Sequence, residues 1–384
     1  MEINALLNEL NSAASTMQNS FCIINRAVMD LDEIQKMGIQ EFSLRAKINM
    51  PLKLYKYFPN LSDHATGVNY SLQALKNNTV FMQSPSNFDD VYDSDISLDY
   101  LQYEKLRLME YCLRCEICVN TTDTTQELKN KLLGVMVDSL QSKGNISYAF
   151  VKKPDSELEK LSTDKFILDF QNEFMKTRNM ADALDLVISN DFTYYAERLK
   201  NTFRVSCFST SPFSQLMWGG SYADCHRGFC IEYTILPNDS QYQEIYCNLF
   251  PLIYCKTRPN MTEILTKAQD KPFDYESMWN IYFHGALRKS VDWAYQNEWR
   301  LLLPMRAEKI SDYNIPFFPI TKVFLGNRMS AGDRNEIIRI CHEKSYPYAG
   351  VTRNPLTFEM QECGILCEKC EKHLNRLLVS SIPK

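Results

Sequence analysis

From Leu98 to about Lys200 the chain is dominated by helix formers, and strand-like blocks stand on either side of that stretch. Tyr100–Ile117, Thr125–Leu140, Glu157–Met175 and Met180–Asn201 each repeat apolar residues at three- and four-residue spacing. Gly144–Ser147 and Lys152–Asp155 separate them as loops. Upstream, Leu52-Lys53-Leu54-Tyr55-Lys56-Tyr57 alternates with period two, Tyr70–Lys76 reads as a short helix, and Thr79-Val80-Phe81-Met82 as a second strand. Downstream, strands are predicted at Phe203–Phe208, Gly228–Tyr233, Phe250–Cys255, Glu298–Leu303 and Lys322–Leu325, with helices at Asp274–Ser290 and Ala331–His342. Helices gathered between strands argue against a regular doubly wound sheet. They predict an α+β fold, with one main domain over 51–350, a small mixed or antiparallel sheet core, and a helical insertion at 98–200. The first 50 residues read as a helical extension, with Ile3, Leu6, Leu7 and Leu10 at helical spacing and a second amphipathic stretch from Phe21 to about Lys36. Residues 351–384 read as a terminal segment with a cysteine-containing helix.

Charge and composition then remove functions. Lysine and arginine total 42 against 47 acids, a net charge of −5, so no bulk attraction for nucleic acid is expected. Neither GxxxxGK[ST] nor GxGxxG occurs among the 12 glycines. No stretch approaches the length of a membrane-spanning apolar run, and Met1–Ser15 lacks the basic start and apolar core of a secretory signal. With no such signal, the 13 cysteines read as reduced thiols of a cytoplasmic protein that has no membrane partner.

Metal chemistry is not favoured either. Cys363, Cys367, Cys370 and His373 fall along one helical face, and a straight helix cannot close a tetrahedron around zinc with ligands so far apart along its axis. A second segment such as Cys112 and Cys115, which with Cys118 sit in a predicted helix of their own, or a partner chain would have to contribute; the C-terminal cysteines read instead as small hydrophobes beside Leu366, Leu374 and Leu377. Asp89, Asp90, Asp93 and Asp95 lack the central glycine of a calcium loop and read as a solvated or capping turn. Five histidines and no nucleophile elbow give no support to a Ser-His-Asp hydrolase.

Several motifs nevertheless recur in order. They are Tyr55-Lys56-Tyr57, the turn Asn87-Phe88-Asp89-Asp90-Val91-Tyr92-Asp93, Cys207-Phe208-Ser209, Met217-Trp218 with Tyr222-Ala223, Gly228-Phe229, Glu298-Trp299-Arg300 and Lys322-Val323-Phe324-Leu325-Gly326. Together they resemble a large, mostly uncharacterised bacterial domain family of unknown function, over about residues 51 to 345. The chain departs from that family at Asp89-Asp90-Val91, where the usual proline is replaced. The resemblance implies bacterial defence by the family's distribution, but no reaction.

A second resemblance suggests one. Ser209-Thr210-Ser211 on a strand, followed 87 residues later by Gln296-x-Glu298, is similar to the pairing used by ADP-ribosyltransferases of the bacterial toxin type. The resemblance implies that Glu298 and Gln296 act catalytically on NAD as substrate and that Ser209, Thr210 and Ser211 hold it. Tyr55 or Lys56 would fill the early polar position. The chemistry suits these residue types, because breaking the glycosidic bond of NAD builds positive charge on the ribose that a carboxylate can stabilise. Trp218, Tyr222 and His226 read equally as an aromatic and cationic cluster able to stack a ring and bind phosphate, or as a packed aromatic corner with a satisfied histidine. A catalytically silent nucleotide-sensing or protein-interaction module of a bacterial defence system stands as the alternative. In that case Glu298 is a structural partner of Arg300. Neither resemblance names a macromolecular target or an oligomeric state.

Overall fold

The computed structural model describes residues 21–363 apart from 26, 31–32, 35–36, 38, 91, 95–96, 151–163, 202, 259, 264–265, 267–284 and 305–312. In chain order the elements begin with strands β1 (Phe21–Ile24) and β2 (Ala27–Asp30), helix α1 (Ile39–Ile48), strand β3 (Lys53–Phe58), helix α2 (Tyr70–Asn77) and strand β4 (Thr79–Met82). Four longer helices follow: α3 (Tyr100–Arg114), α4 (Thr125–Lys143), α5 (Lys165–Thr177) and α6 (Met180–Asn201). Then come β5 (Phe203–Ser209), α7 (Gln215–Gly219), β6 (Phe229–Thr234), α8 (Gln243–Cys247), β7 (Leu249–Pro251), β8 (Ile253–Cys255) and β9 (Arg288–Ser290). The last are β10 (Glu298–Pro304), β11 (Tyr313–Pro316), β12 (Ile320–Leu325), α9 (Ala331–Lys344), β13 (Tyr348–Arg353) and β14 (Met360–Glu362).

The chain divides into two compact units, one of residues 1–94, 201–257 and 285–384, the other of 95–200 and 258–284. The first is built on an eight-stranded sheet in the order β14-β13-β12-β6-β3-β5-β10-β7, antiparallel except for β12 beside β13. The mixed, largely antiparallel sheet with helices makes the fold α+β.

Strict alternation along each strand sends side chains to opposite faces, and here both faces are covered. Leu54, Phe208, Ile231, Trp299 and Val323 meet α2 and α9 in one core, where Leu75 and Ile337 are fully buried. Tyr55, Tyr57, Cys230 and Phe324 meet Met217, Trp218 and Ala223 in the other. The sequence of β3 carries both sets at once, Leu54 and Phe58 one way, Tyr55 and Tyr57 the other.

In the second unit, helices α3, α5 and α6 share an aromatic core, with Tyr103 of α3 against Phe192 of α6. Tyr111 stacks on Phe166 with ring centroids 3.8 Å apart, and Phe170 follows Phe166 at 6.1 Å. Thr124 and Glu127 form a reciprocal capping box that starts α4. Asp99 and Asp164 cap α3 and α5. Cys112 is buried, its thiol directed at the Leu128 carbonyl (3.5 Å).

Two sequence expectations are corrected. The stretch read as an amphipathic helix from Phe21 contains a β-hairpin, β1 with β2, turned through Asn25 in the left-handed region (φ 49°). It belongs to a four-stranded sheet, β2-β1-β8-β9. The helix expected over 274–290 ends otherwise, because Arg288–Ser290 is strand β9; 274–284 lie outside the described residues, as do Ile3, Leu6, Leu7 and Leu10. Cys367, Cys370 and His373 lie outside them as well, while Cys363 is buried at the end of β14. No helix among the described residues is long and apolar enough to cross a membrane.

Gly228, at the entry to β6, is held by close packing. A β-carbon there would stand 2.1 Å from the Phe58 carbonyl oxygen, a backbone atom of the neighbouring strand that cannot step aside. Gly228→Ala is therefore expected to cost about 2–3 kcal/mol of stability, read as a lower urea midpoint by circular dichroism.

Candidate functional site

The order of the sheet makes β3, β5 and β10 consecutive neighbours, and the register sets a row of side chains across them. Tyr55 stands opposite Ser209, and Ser209 opposite Glu298. Glu232 of β6 extends the row on the far side of Tyr55, whose hydroxyl donates to the Glu232 carboxylate at 3.1 Å. Lys53 and Thr321 also contact that carboxylate, at 2.8 and 2.9 Å. Directly opposed residues share a face, so Tyr55, Ser209 and Glu298 all point to one side of the sheet.

Lys56 does not. It alternates with Tyr55 and reaches Ser206 Oγ at 3.1 Å and the Cys207 carbonyl at 3.0 Å, over the ring of Phe208. The sheet itself separates it from Ser209, so of the two early-strand candidates only Tyr55 joins the row. Burial lowers the Lys56 pKa.

Around Glu298 lies a buried ionic cluster. Arg300 donates through Nε to Glu298 and through Nη2 to Asp93, both at 2.6 Å. Its Nη1 donates to Ser94 Oγ at 3.0 Å and to the Ala286 carbonyl at 2.7 Å. Lys289 of β9 pairs with Asp93 at 2.9 Å and with the second Glu298 oxygen at 3.2 Å. Two cations and two anions thus neutralise one another within a region where Arg300 is wholly buried and Glu298 is 6% exposed.

Burial pushes the Asp93 carboxyl up, but Arg300 and Lys289 outweigh it and leave it at about 2. Burial also acts upward on Glu298, and the same two cations hold it below the ordinary carboxylate range. Both acids are therefore ionised at neutral pH. A depressed folded-state pKa gives stability that is complete above the unfolded value, near 4, and lost as pH falls through the folded one. Asp93 alone accounts for roughly 2 kcal/mol on this basis. The urea midpoint is expected to fall between pH 5 and pH 2.5, and Asp93→Asn to flatten that dependence.

The rest of the site grows from the turn before β10. A short 3-10 helix over Val291–Gln296 ends at Asn297 in the left-handed region (φ 45°), which swings the chain into the strand. Gln296 is buried and ties three parts together. Its carbonyl accepts from Ser209 Oγ at 2.9 Å, its Nε2 donates to the Tyr222 hydroxyl at 2.7 Å, and its Oε1 accepts from Lys289 at 2.9 Å. Asn297 donates to Thr210 Oγ1. The Tyr254 hydroxyl accepts from the Glu298 backbone amide at 2.8 Å. Tyr222 is half-buried, and burial pushes its hydroxyl up to about 12, so it remains protonated.

Other expected binding residues are placed differently. Trp218 is fully buried, donates to the Pro212 carbonyl at 2.7 Å and meets Tyr57 edge-on at 5.4 Å, so its ring offers no stacking surface. His226 stacks against Trp218 at 6.2 Å. Asp224, Cys225 and His226 are three successive residues in the left-handed region (φ 46°, 49° and 70°), an arrangement that costs about 1–2 kcal/mol per residue. It is held by hydrogen bonds from the Cys225 backbone N–H to the Gly220 carbonyl and from the His226 backbone N–H to the Trp218 carbonyl. Ser211 accepts from the Tyr57 hydroxyl at its carbonyl, 2.8 Å.

Asp93 and Lys289 are the site residues that sequence reasoning missed. Asp93 was expected in a solvated turn; Arg300 and Lys289 draw it into the core instead. Lys289 carries no local pattern that marks it, since only the pairing of β9 beside β8 brings it to Glu298.

No curated protein and no solved structure matches the chain at a significant level. One family model does, over a shorter span than the motifs suggested and without Tyr55 or Ser209. Residues 217–301, which carry Trp218, Tyr222, Lys289, Gln296, Glu298 and Arg300, match the model of a family described as a protein of unknown function (DUF2971).

Proposed function

We propose that this protein is an NAD-consuming transferase of the ADP-ribosyltransferase kind, with the row Tyr55, Ser209 and Glu298 as its reaction centre. The observation that carries the reading is the register. Residues 154 and 89 positions apart in sequence stand side by side on three consecutive strands and on one face. In this reading the nicotinamide leaves with the electron pair of the bond to the ribose, and Glu298 opposes the cation left on the sugar. Arg300 and Lys289 keep Glu298 ionised. Lys289 can release Glu298 and stay paired with Asp93, which turns one carboxylate oxygen toward the ribose. In this reading Ser209 and Tyr55 exchange their present bonds to the Gln296 carbonyl and Glu232 for ribose hydroxyls, beside Tyr222 and Gln296.

One observation favours a second reading, a binding module without catalysis. Both carboxylate oxygens of Glu298 are already engaged, one by Arg300 and one by Lys289.

Calorimetric titration with NAD tests where the ligand lies. Ser209→Ala is expected to weaken NAD about tenfold, the value of one lost hydrogen bond. Lys56→Met, across the sheet, is expected to leave affinity unchanged. A loss at Lys56 with none at Ser209 would put the ligand on the wrong face.

A further inference from the structure

Two buried thiols meet on the smaller sheet. Strands β1 and β8 pair antiparallel, with Ile23 opposite Tyr254 and Ile24 opposite Ile253. The same register, continued by one residue within both strands, sets Cys22 opposite Cys255. Directly opposed residues share a face and hold their β-carbons about 4.5–5.5 Å apart. A disulfide spans about 3.5–4.5 Å between those atoms, so a shift of roughly 1 Å closes the bond.

Both cysteines are free and buried, at 1% and 6% exposure. The Cys22 thiol lies 3.7 Å from the Met29 carbonyl, and the Cys255 thiol 3.2 Å from that of Thr257. Arg288, on the next strand of this sheet, hydrogen-bonds the Cys255 side chain. A cavity lies on the same side of the hairpin as Cys22, though neither thiol lines it. It has a volume of about 530 Å³ and is lined by Ile24, Ala27 and Met29. Ile24 shares the face of Cys22, and Met29 is its partner across the hairpin.

We propose that Cys22 and Cys255 form a redox pair that a small peroxide converts to a disulfide. The Cys255 thiolate, beside the Arg288 guanidinium, attacks one peroxide oxygen. An S–O bond forms, the O–O bond breaks, and the departing hydroxide takes up the proton lost by the thiol to give water. The Cys22 thiol then attacks the sulfenic sulfur. The S–S bond forms, the S–O bond breaks, and the oxygen leaves as a second water with the Cys22 proton. Two thiols lose two electrons, and one peroxide becomes two waters. Burial pushes both thiols up, Cys22 to about 12, while Arg288 pulls each back. Reaction is therefore slower than at an exposed thiol and accelerates as pH rises.

The test treats the reduced full-length chain with hydrogen peroxide, alkylates the remaining thiols under denaturing conditions, and maps the digest by mass spectrometry. The expected result is a joined peptide pair containing Cys22 and Cys255, two hydrogens lighter than the separate peptides, in most chains. It disappears on treatment with dithiothreitol and is absent from Cys22→Ala and Cys255→Ala. The oxidised wild type is also expected to melt several degrees higher, because the bridge restricts the unfolded chain. The wild-type digest decides the matter without either variant. Full alkylation of Cys22 and Cys255, at peroxide levels that oxidise the exposed Cys118, Cys225 and Cys247, would overturn the proposal. So would oxidation of either residue with no joined peptide.

Discussion

Arg300→Met is expected to destabilise the first unit by about 3–5 kcal/mol, the cost of removing one partner from a buried ionic group. Four contacts disappear together: Glu298, Asp93, Ser94 and the Ala286 carbonyl. Methionine fills much of the space, so the loss is electrostatic rather than a cavity. Lys289 alone must then balance two buried carboxylates. In a chain of this size that destabilisation lowers the melting temperature by roughly 10 °C. Arg300→Lys is expected to recover only part of the loss, because an ammonium cannot reproduce the planar fork that reaches Glu298 and Asp93 at once. Adding Asp93→Asn to Arg300→Met should restore stability, since it removes one uncompensated charge. Differential scanning calorimetry of the three variants reads the series directly. Equal melting temperatures for wild type and Arg300→Met would mean that the cluster contributes nothing to the fold.

The strands of the main sheet were legible because their aromatic residues alternate. Leu54, Tyr55, Tyr57 and Phe58 announce a strand covered on both faces, and the observed β3 runs from Lys53 to Phe58. The same alternation, followed strictly, separates Lys56 from Tyr55 and assigns it to the opposite face. The hairpin at β1 and β2 was not legible. Phe21-Cys22-Ile23-Ile24 is a short apolar run that suits a buried helix turn and a strand equally well, and its strand partner β8 lies more than two hundred residues away.

The row through Ser209 shows the same limit at the candidate site. Ser209 and Glu298 could be named from their motifs, but their adjacency depends on β10 pairing with β5 over a long separation. The burial of Asp93 depends on two cations from other strands. Trp218 shows the converse. A tryptophan beside a tyrosine and a histidine reads as a stacking site or as a packed corner, and only the fold decides: its indole N–H finds the Pro212 carbonyl and its ring completes the core.

Glu298→Gln carries the largest expected effect on activity. The substitution keeps the size of the side chain and leaves a carbonyl oxygen that can still accept from Arg300. It removes the negative charge that opposes the ribosyl cation. Since that cation develops only in the transition state, NAD binding should change little while turnover falls by at least two orders of magnitude, about 3 kcal/mol. The charge change also leaves the buried cluster with one excess cation. A loss of stability of about 2 kcal/mol or more is therefore expected alongside, and turnover must be expressed per folded chain. The measurement is nicotinamide release from NAD by the wild type and by Glu298→Gln, each held below its melting temperature. Release by the wild type, reduced at least a hundredfold in the variant at equal folded concentration, is the predicted result. No release from the wild type across protein and nucleic-acid acceptors, or equal release from both proteins, would contradict the account.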